Sequence, residues 1–176
     1  MYTIRRSIDI HFAHHIRGHM GPCINIHGHT WKFEVVMAAQ ELDAQGFIVD
    51  FKELQQKVLQ PCYQLLDHSL AIGVETYQEI EPELEKLGEK LLSSRPEELP
   101  QSETTELGSV QLRYPGGLKT TVFPFNPTSE RLAAWLYQWS NKVLKDERVW
   151  VKLARIYETL HPVESVAEYS NESNPT

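Results

Sequence analysis

Over its first sixteen residues the chain alternates. Ile4, Ile8, Ile10, Phe12, His14 and Ile16 share one parity, and Arg5, Ser7, Asp9, His11, Ala13 and His15 share the other. A period of two predicts a half-buried strand, with His14 on its apolar face and His15 on its polar one. The stretch 30–39, with Trp31, Phe33, Val35 and Val36, predicts a second strand. Asp43-Ala44-Gln45-Gly46 is a turn signal, and 47–49 continues as a short extended piece. At Asp50 the period changes. Asp50 with Glu53 is a capping pattern, and Phe51, Leu54, Val58, Leu65 and Leu66 form the apolar side of a helix that Pro61 should kink or split. A second helix follows Asn126-Pro127, with Leu132, Trp135, Leu136, Trp139 and Val143 at helical spacing. Residues 149–157 return to strand. Between the helices, about 73–118, lie an acidic amphipathic segment (Ile80, Leu84, Leu87, Leu91), a Ser/Pro/Glu-rich loop and a hairpin signal at Pro115-Gly116-Gly117. That stretch is too short to bury its own core well and reads as an insertion. The order predicts an α+β fold: one domain over 1–176, an antiparallel sheet backed by two helices, and a flexible polar tail at 170–176.

Composition narrows the partners. Net charge is −7 with much of the acid between Glu75 and Glu106, which argues against a general nucleic-acid surface. No apolar run approaches the ~20 residues of a membrane span. The N-terminus lacks the apolar core of a signal peptide, so a cytoplasmic protein is expected, and its two cysteines should be free thiols.

The chemistry concentrates in Cys23-Ile24-Asn25-Ile26-His27-Gly28-His29. On extended backbone His27 and His29 point to one face and can grip one ion together. Gly28 lets backbone or substrate come close. His14, a polar ring on an apolar strand face, supplies a third nitrogen and leaves a fourth position open, the usual arrangement of catalytic zinc. His15 is the alternative, since a one-residue slip of register exchanges the two. Cys23 lies beside this group, where a thiol can serve as base or nucleophile. Cys62, on the first helix, reads as packing. Asp67-His68 closes that helix, where an acid-held imidazole can shuttle protons. Glu158, at the end of the last long strand, can accept two parallel hydrogen bonds from a forked pair of N–H groups such as a fused 2-amino-4-oxo ring carries. Arg17, His19 and Lys32 are cations, or nearly so, placed to meet phosphate.

Ala13-His14, the heptad from Cys23 to His29, Asp50-Phe51, Leu66-Asp67-His68, Asn126-Pro127-Thr128-Ser129-Glu130, Glu158-Thr159 and Ala167-Glu168-Tyr169, in this order, resemble the 6-pyruvoyltetrahydropterin synthase family. The resemblance spans most of the chain except about 73–118. It implies the tunnelling fold, in which sheets of several subunits join into a barrel, and a homo-oligomer, a hexamer, with active sites between subunits. It implies Zn2+ on His14, His27 and His29, Cys23 as catalytic base, Asp67 and His68 as the acid side, Glu158 as the pterin anchor, and Thr128 and Glu130 near that pocket.

Three residues separate Cys23 from His27. This resembles the branch that forms 6-carboxy-5,6,7,8-tetrahydropterin, a queuosine precursor, where the animal pyruvoyl-forming enzymes look to carry five. The implied substrate is 7,8-dihydroneopterin triphosphate, with acetaldehyde and triphosphate as further products. The alternatives are the pyruvoyl-forming, triphosphate-eliminating reaction, a non-catalytic zinc- or pterin-binding protein, and a metal hydrolase. No Gly-rich dinucleotide fingerprint is present.

Overall fold

The structure, a computed structural model, describes residues 1–92, 103–105 and 107–171. Residues 93–102 and 106 of the expected insertion, where its Ser/Pro/Glu-rich loop falls, and residues 172–176 of the expected tail lie outside the described residues. The elements are β1 (Tyr2–His14), a 3-10 turn (Pro22–Ile24), β2 (His27–Ala39), α1 (Phe51–Leu54), a π-helical turn (Gln55–Leu59), α2 (Gln60–Leu66), β3 (Leu70–Gly73), α3 (Val74–Leu91), β4 (Glu103–Thr104), β5 (Gln111–Arg113), β6 (Thr120–Phe123), α4 (Ser129–Leu144), β7 (Val149–Thr159) and β8 (Ser165–Tyr169). They form two compact units: residues 1–10, 30–64 and 129–176, and residues 11–29 and 65–128. No helix among the described residues is long and apolar enough to cross a membrane.

In the first unit the strand order is β1-β2-β7-β8, and both β2·β7 and β7·β8 are antiparallel. Trp31, Phe33 and Val35 on β2, Leu132, Ala133, Trp135 and Leu136 on α4, and Ala154 and Ile156 on β7 are all buried. Of the predicted α4 stripe only Val143 is half-buried, its place in the core taken by Leu144. Phe51, expected inside, is 48% exposed because it opens α1, where the first turn has yet to reach the core. Pro61 acts as expected, through a π turn rather than a break. Having no N–H to give, it is preceded by a widened turn in which the Gln60 N–H reaches Gln55 O.

The opposite strand parity carries charge. Glu34, 3% exposed, pairs across strands with Arg155 at 2.8 Å, and Arg155 reaches Glu168 at 2.6 Å. A carboxylate that dry is tolerable only with such a partner.

Loop 41–48 is held by Arg148, whose guanidinium donates to the carbonyls of Glu41, Phe47 and Ile48. Asp43 accepts the N–H groups of Gln45 and Phe47, and Asp146 those of Arg148 and Val149. These backbone donors hold both carboxyls below their ordinary range, led for Asp43 by Phe47 and for Asp146 by Val149. Folded pKa values below the unfolded ones mean a contribution present above the ordinary carboxylate range and lost as pH falls through the folded values. Urea midpoints measured from pH 5 down to pH 2.5 should therefore fall less steeply in Asp146→Asn than in wild type.

The second unit orders its strands β4-β5-β6-β3, with the end of β1 beside β3. Here the expectation of a purely antiparallel sheet is corrected. β4·β5 and β5·β6 are antiparallel, but β3·β6 and β1·β3 are parallel, the latter pairing Ala13 with Leu70 and His14 with Ala71. Parallel pairing needs a long crossover, and α3 with β5 supplies it between β3 and β6. The hairpin signal at Pro115-Gly116-Gly117 joins β5 to β6.

α3 buries part of its predicted stripe: Leu84 is inside and Ile80 packs against the core, but the C-terminal leucines are not covered. Tyr77, Leu84 and Gly88 are buried, whereas Leu87 and Leu91 are 46% and 63% exposed. Tyr77 and Leu84 cluster with Ile72 and Val122 of β3 and β6. Gly88 marks a close approach to the β5–β6 connection. A Cβ there would lie 2.7 Å from Gly116 O, and one on Gly116 (φ 55°) would run into Glu85 O. Two backbones meet where side chains are missing. Gly88→Ala should cost about 1–3 kcal/mol, read from a denaturation midpoint, and Gly116→Ala should cost at least as much because it adds left-handed strain.

Candidate metal centre and proton-transfer pair

His14 is the last residue of β1 and is 1% exposed; His27 and His29 open β2, half-buried. One ligand atom from each of the three imidazoles lies within 4.8 Å of those of the others, all inside the second unit. Ring centroids are separated by 4.5 Å (His14–His27), 5.0 Å (His27–His29) and 5.6 Å (His14–His29). Gly28 makes the approach possible: a Cβ at this position would lie 3.3 Å from Phe12 O, so what comes close is the backbone of β1.

Hydrogen bonds fix the tautomers. His14 Nδ1 lies 3.1 Å from Pro127 O and His27 Nδ1 lies 2.8 Å from Asn25 O. A carbonyl only accepts, so each Nδ1 carries the proton and each neutral ring turns a lone pair outward at Nε2. Those two Nε2 atoms face each other at 3.1 Å. Two lone pairs at that distance repel unless a cation lies between them, and ligands about 2.0–2.1 Å from a tetrahedral zinc stand about 3.3 Å apart. A carbonyl fixing the far nitrogen of a ligating imidazole is the usual outer support of such a site. The three histidines therefore fit a zinc ion. Asn25 and Pro127 as its outer support were not singled out in the sequence, because they act through backbone carbonyls.

His15 lies outside this cluster. Its Nδ1 has no hydrogen-bond partner among the described residues, and burial, aided by the Arg17 charge, holds its pKa below the ordinary value. The one-residue slip has not occurred.

Cys23 sits in the 3-10 turn between the strands, half-buried, and its carbonyl accepts the Ile16 N–H at 3.0 Å. That bond ties its loop to the residue two past His14. Cys62 is fully buried, which pushes its thiol pKa well above the ordinary value.

Asp67 and His68 are bonded side chain to side chain at 2.7 Å, with the acid 13% and the imidazole 82% exposed. Adjacent residues cannot face each other in a helix. They do here because α2 has ended and His68 takes a left-handed φ of 58°. Backbone contacts with β1 support the turn: His11 N–H donates to Asp67 Oδ1 at 3.3 Å, and His68 N–H donates to His11 O at 2.8 Å.

In the first unit, Glu158 on β7 is half-buried and accepts the Ser129 hydroxyl at 2.9 Å, while Glu130 is exposed in the first turn of α4. Thr128 belongs to the second unit, its N–H on Asn126 O. The expected phosphate contacts are otherwise engaged. Arg17 pairs with Glu79 at 2.7 Å and Glu75 at 3.8 Å, Lys32 lies 4.8 Å over the Tyr157 ring, and His19 accepts the Gly21 N–H.

Residues 3–172 match a family model described as 6-pyruvoyl tetrahydropterin synthase. Among curated proteins, the chain is 25% identical to the 6-carboxy-5,6,7,8-tetrahydropterin synthase of Haemophilus influenzae, over 90% of this chain and 94% of that one. It is 27% identical to the protein of the same name from Aquifex aeolicus, over 85% and 76%. Among solved structures it resembles an uncharacterized protein from Wolinella succinogenes (TM-score 0.74, 22% identity, 97% and 98% covered). It also resembles the 6-pyruvoyl tetrahydropterin synthase of Caenorhabditis elegans (TM-score 0.56, 16% identity, 97% and 96% covered). At these identities the structural likeness shows the tunnelling fold alone.

Proposed function

Because the chain belongs to the 6-pyruvoyl tetrahydropterin synthase family, we propose that it is a zinc-dependent carbon–carbon lyase. In this reading it converts 7,8-dihydroneopterin triphosphate and one water to 6-carboxy-5,6,7,8-tetrahydropterin, acetaldehyde and triphosphate, a step toward queuosine. The observation that carries the reading is the apposition of His14 Nε2 and His27 Nε2 at 3.1 Å, each ring fixed from behind by a carbonyl. Support for the carboxy-forming branch comes from the names of the curated relatives and from the three-residue gap between Cys23 and His27.

His14, His27 and His29 would hold the metal. Bound zinc supplies Lewis acidity toward the substrate's side-chain hydroxyls and a developing carbonyl. Cys23 would take a proton from the side chain, and His68, held through its Nδ1 by Asp67, would move protons at its exposed Nε2. Glu158, with Oε2 already on Ser129, keeps acceptor capacity for the N–H fork of a pterin ring; Thr128 and Glu130 are carried as further substrate-binding residues by the family resemblance. Triphosphate loss and carbon–carbon cleavage balance redox within the substrate, so no nicotinamide is required. The resemblance further suggests a homo-oligomer, a hexamer; the charge and hydropathy of the sequence favour a cytoplasmic protein with no nucleic-acid or membrane partner.

Incubating zinc-loaded protein with dihydroneopterin triphosphate and weighing the products by mass spectrometry tests this. Acetaldehyde with the carboxypterin is expected. The pyruvoyl product would replace the carboxy assignment by the family's other reaction, and absence of both products would overturn the lyase.

A further inference from the structure

Lys119 is a cation that the sequence did not single out. It ends the loop before β6, half-buried, and its ammonium donates to the Asp67 carbonyl at 2.7 Å. Its own carbonyl accepts the Leu70 N–H at 3.0 Å, so Lys119 grips the turn on both sides of His68. Two residues on, the Thr121 hydroxyl reaches Leu65 O at 2.9 Å and the Ser69 hydroxyl at 3.0 Å. From the other side β1 contributes the two His11 contacts, and Ala13 N–H donates to Ser69 O at 3.0 Å. The segment 65–70 is thus stitched between β1 and β6, and within it His68 keeps the left-handed backbone that lets its ring meet Asp67.

We propose that Lys119 is a positioning residue for proton transfer: its ammonium fixes the Asp67–His68 turn and balances the Asp67 carboxylate. This rests on the reading that Asp67 and His68 move protons during turnover. Left-handed backbone is disfavoured for a residue with a Cβ, so the conformation persists only where surrounding bonds over-determine it. Lys119 supplies one such bond and brings a cation to the turn; the titratable side chains bonded there also include Asp67 and His68 on the turn itself, and His11 of β1 meets them through its backbone. Burial pulls its pKa below the ordinary value while the charge of Asp67 pulls it back up, as expected for an ammonium kept where a carboxylate needs it.

The test compares zinc-loaded wild type with Lys119→Met and Lys119→Arg, reading kcat, KM, the pH profile of turnover, zinc content and the 15N spectrum of the histidine rings. Removing the cation leaves Asp67 with its full hold on a protonated His68. The profile of Lys119→Met should therefore move to higher pH by about half a unit. Its kcat should fall roughly tenfold, with KM and zinc within about twofold. The Nδ1–H signature of the Asp67-held ring should weaken, and Lys119→Arg should restore most of each. Should Lys119→Met fail to fold, Lys119→Gln, which keeps a donor but no charge, must show the shift in profile. An unchanged profile and ring spectrum in Lys119→Met or its substitute, or an arginine variant as impaired as the methionine one, overturns the proposal. Should the wild type turn over no pterin while its His68 spectrum still depends on Lys119, the lyase falls and the positioning stands.

Discussion

Replacing His14 with alanine should leave the folded protein unable to hold zinc. Bound metal measured after gel filtration should fall from about one ion per chain to under a tenth, and turnover should fall with it by about a thousandfold or more. The size of the effect follows from the geometry. Losing an outer partner of a ligating histidine typically costs 10–100-fold in affinity, and losing the ligand itself costs more. His14 is also the buried member of the three, at 1% exposure, so its loss leaves His27 and His29 as a two-point grip beside the solvent-exposed Gly28. His15→Ala is the control. Its ring lies outside the cluster, so zinc content should be unchanged. Zinc retained in His14→Ala, or lost in His15→Ala, would reverse the assignment. Because imidazoles must be neutral to ligate, zinc release from wild type should also rise as pH falls through the histidine range. Circular dichroism of the variant separates ligand loss from unfolding, since alanine here also leaves a void at a buried position.

The sequence was most legible where period and chemistry coincide. Alternation over Ile8, Ile10, Phe12 and His14 placed that imidazole on the inward face of β1, and spacing alone placed His27 and His29 together on β2. The pairing of Asp67 with His68 could be anticipated from a helix end, but not the φ of 58° that brings it about, since no glycine or asparagine advertises it. Lys119 left no trace in a pattern. Its work is done by a side chain on a carbonyl 52 residues away. Parallel pairing was likewise hidden: β3 and β6 are four residues each, too short to show a period, and their partners are set by crossovers through a stretch that reads as irregular. On α3 the spacing found Ile80 and Leu84 but not the close approach at Gly88 and Gly116, which rests on absent side chains that a hydrophobic pattern does not register.

Cys23→Ala separates an enzyme from a protein that merely binds zinc and a pterin. Cys23 is outside the histidine cluster, so the variant should keep its full zinc content and its fold. Only its half-buried thiol is lost; the backbone bond from Ile16 N–H to Cys23 O does not depend on the side chain. If the thiol moves a proton in the rate-limiting region of the reaction, turnover should drop by about 10²–10⁴-fold, the usual contribution of a positioned acid or base. Binding of the pterin, measured by titration against the zinc-loaded variant, should change less than about threefold, because Glu158, held by the Ser129 hydroxyl, and not Cys23, would anchor the ring. A Cys23→Ser variant sharpens the reading. It keeps the size and a hydroxyl but is a far weaker base, so it should behave like alanine if basicity matters and like wild type if the thiol only fills space. Turnover unaffected in both variants would remove Cys23 from the mechanism and leave proton movement to the Asp67–His68 pair alone.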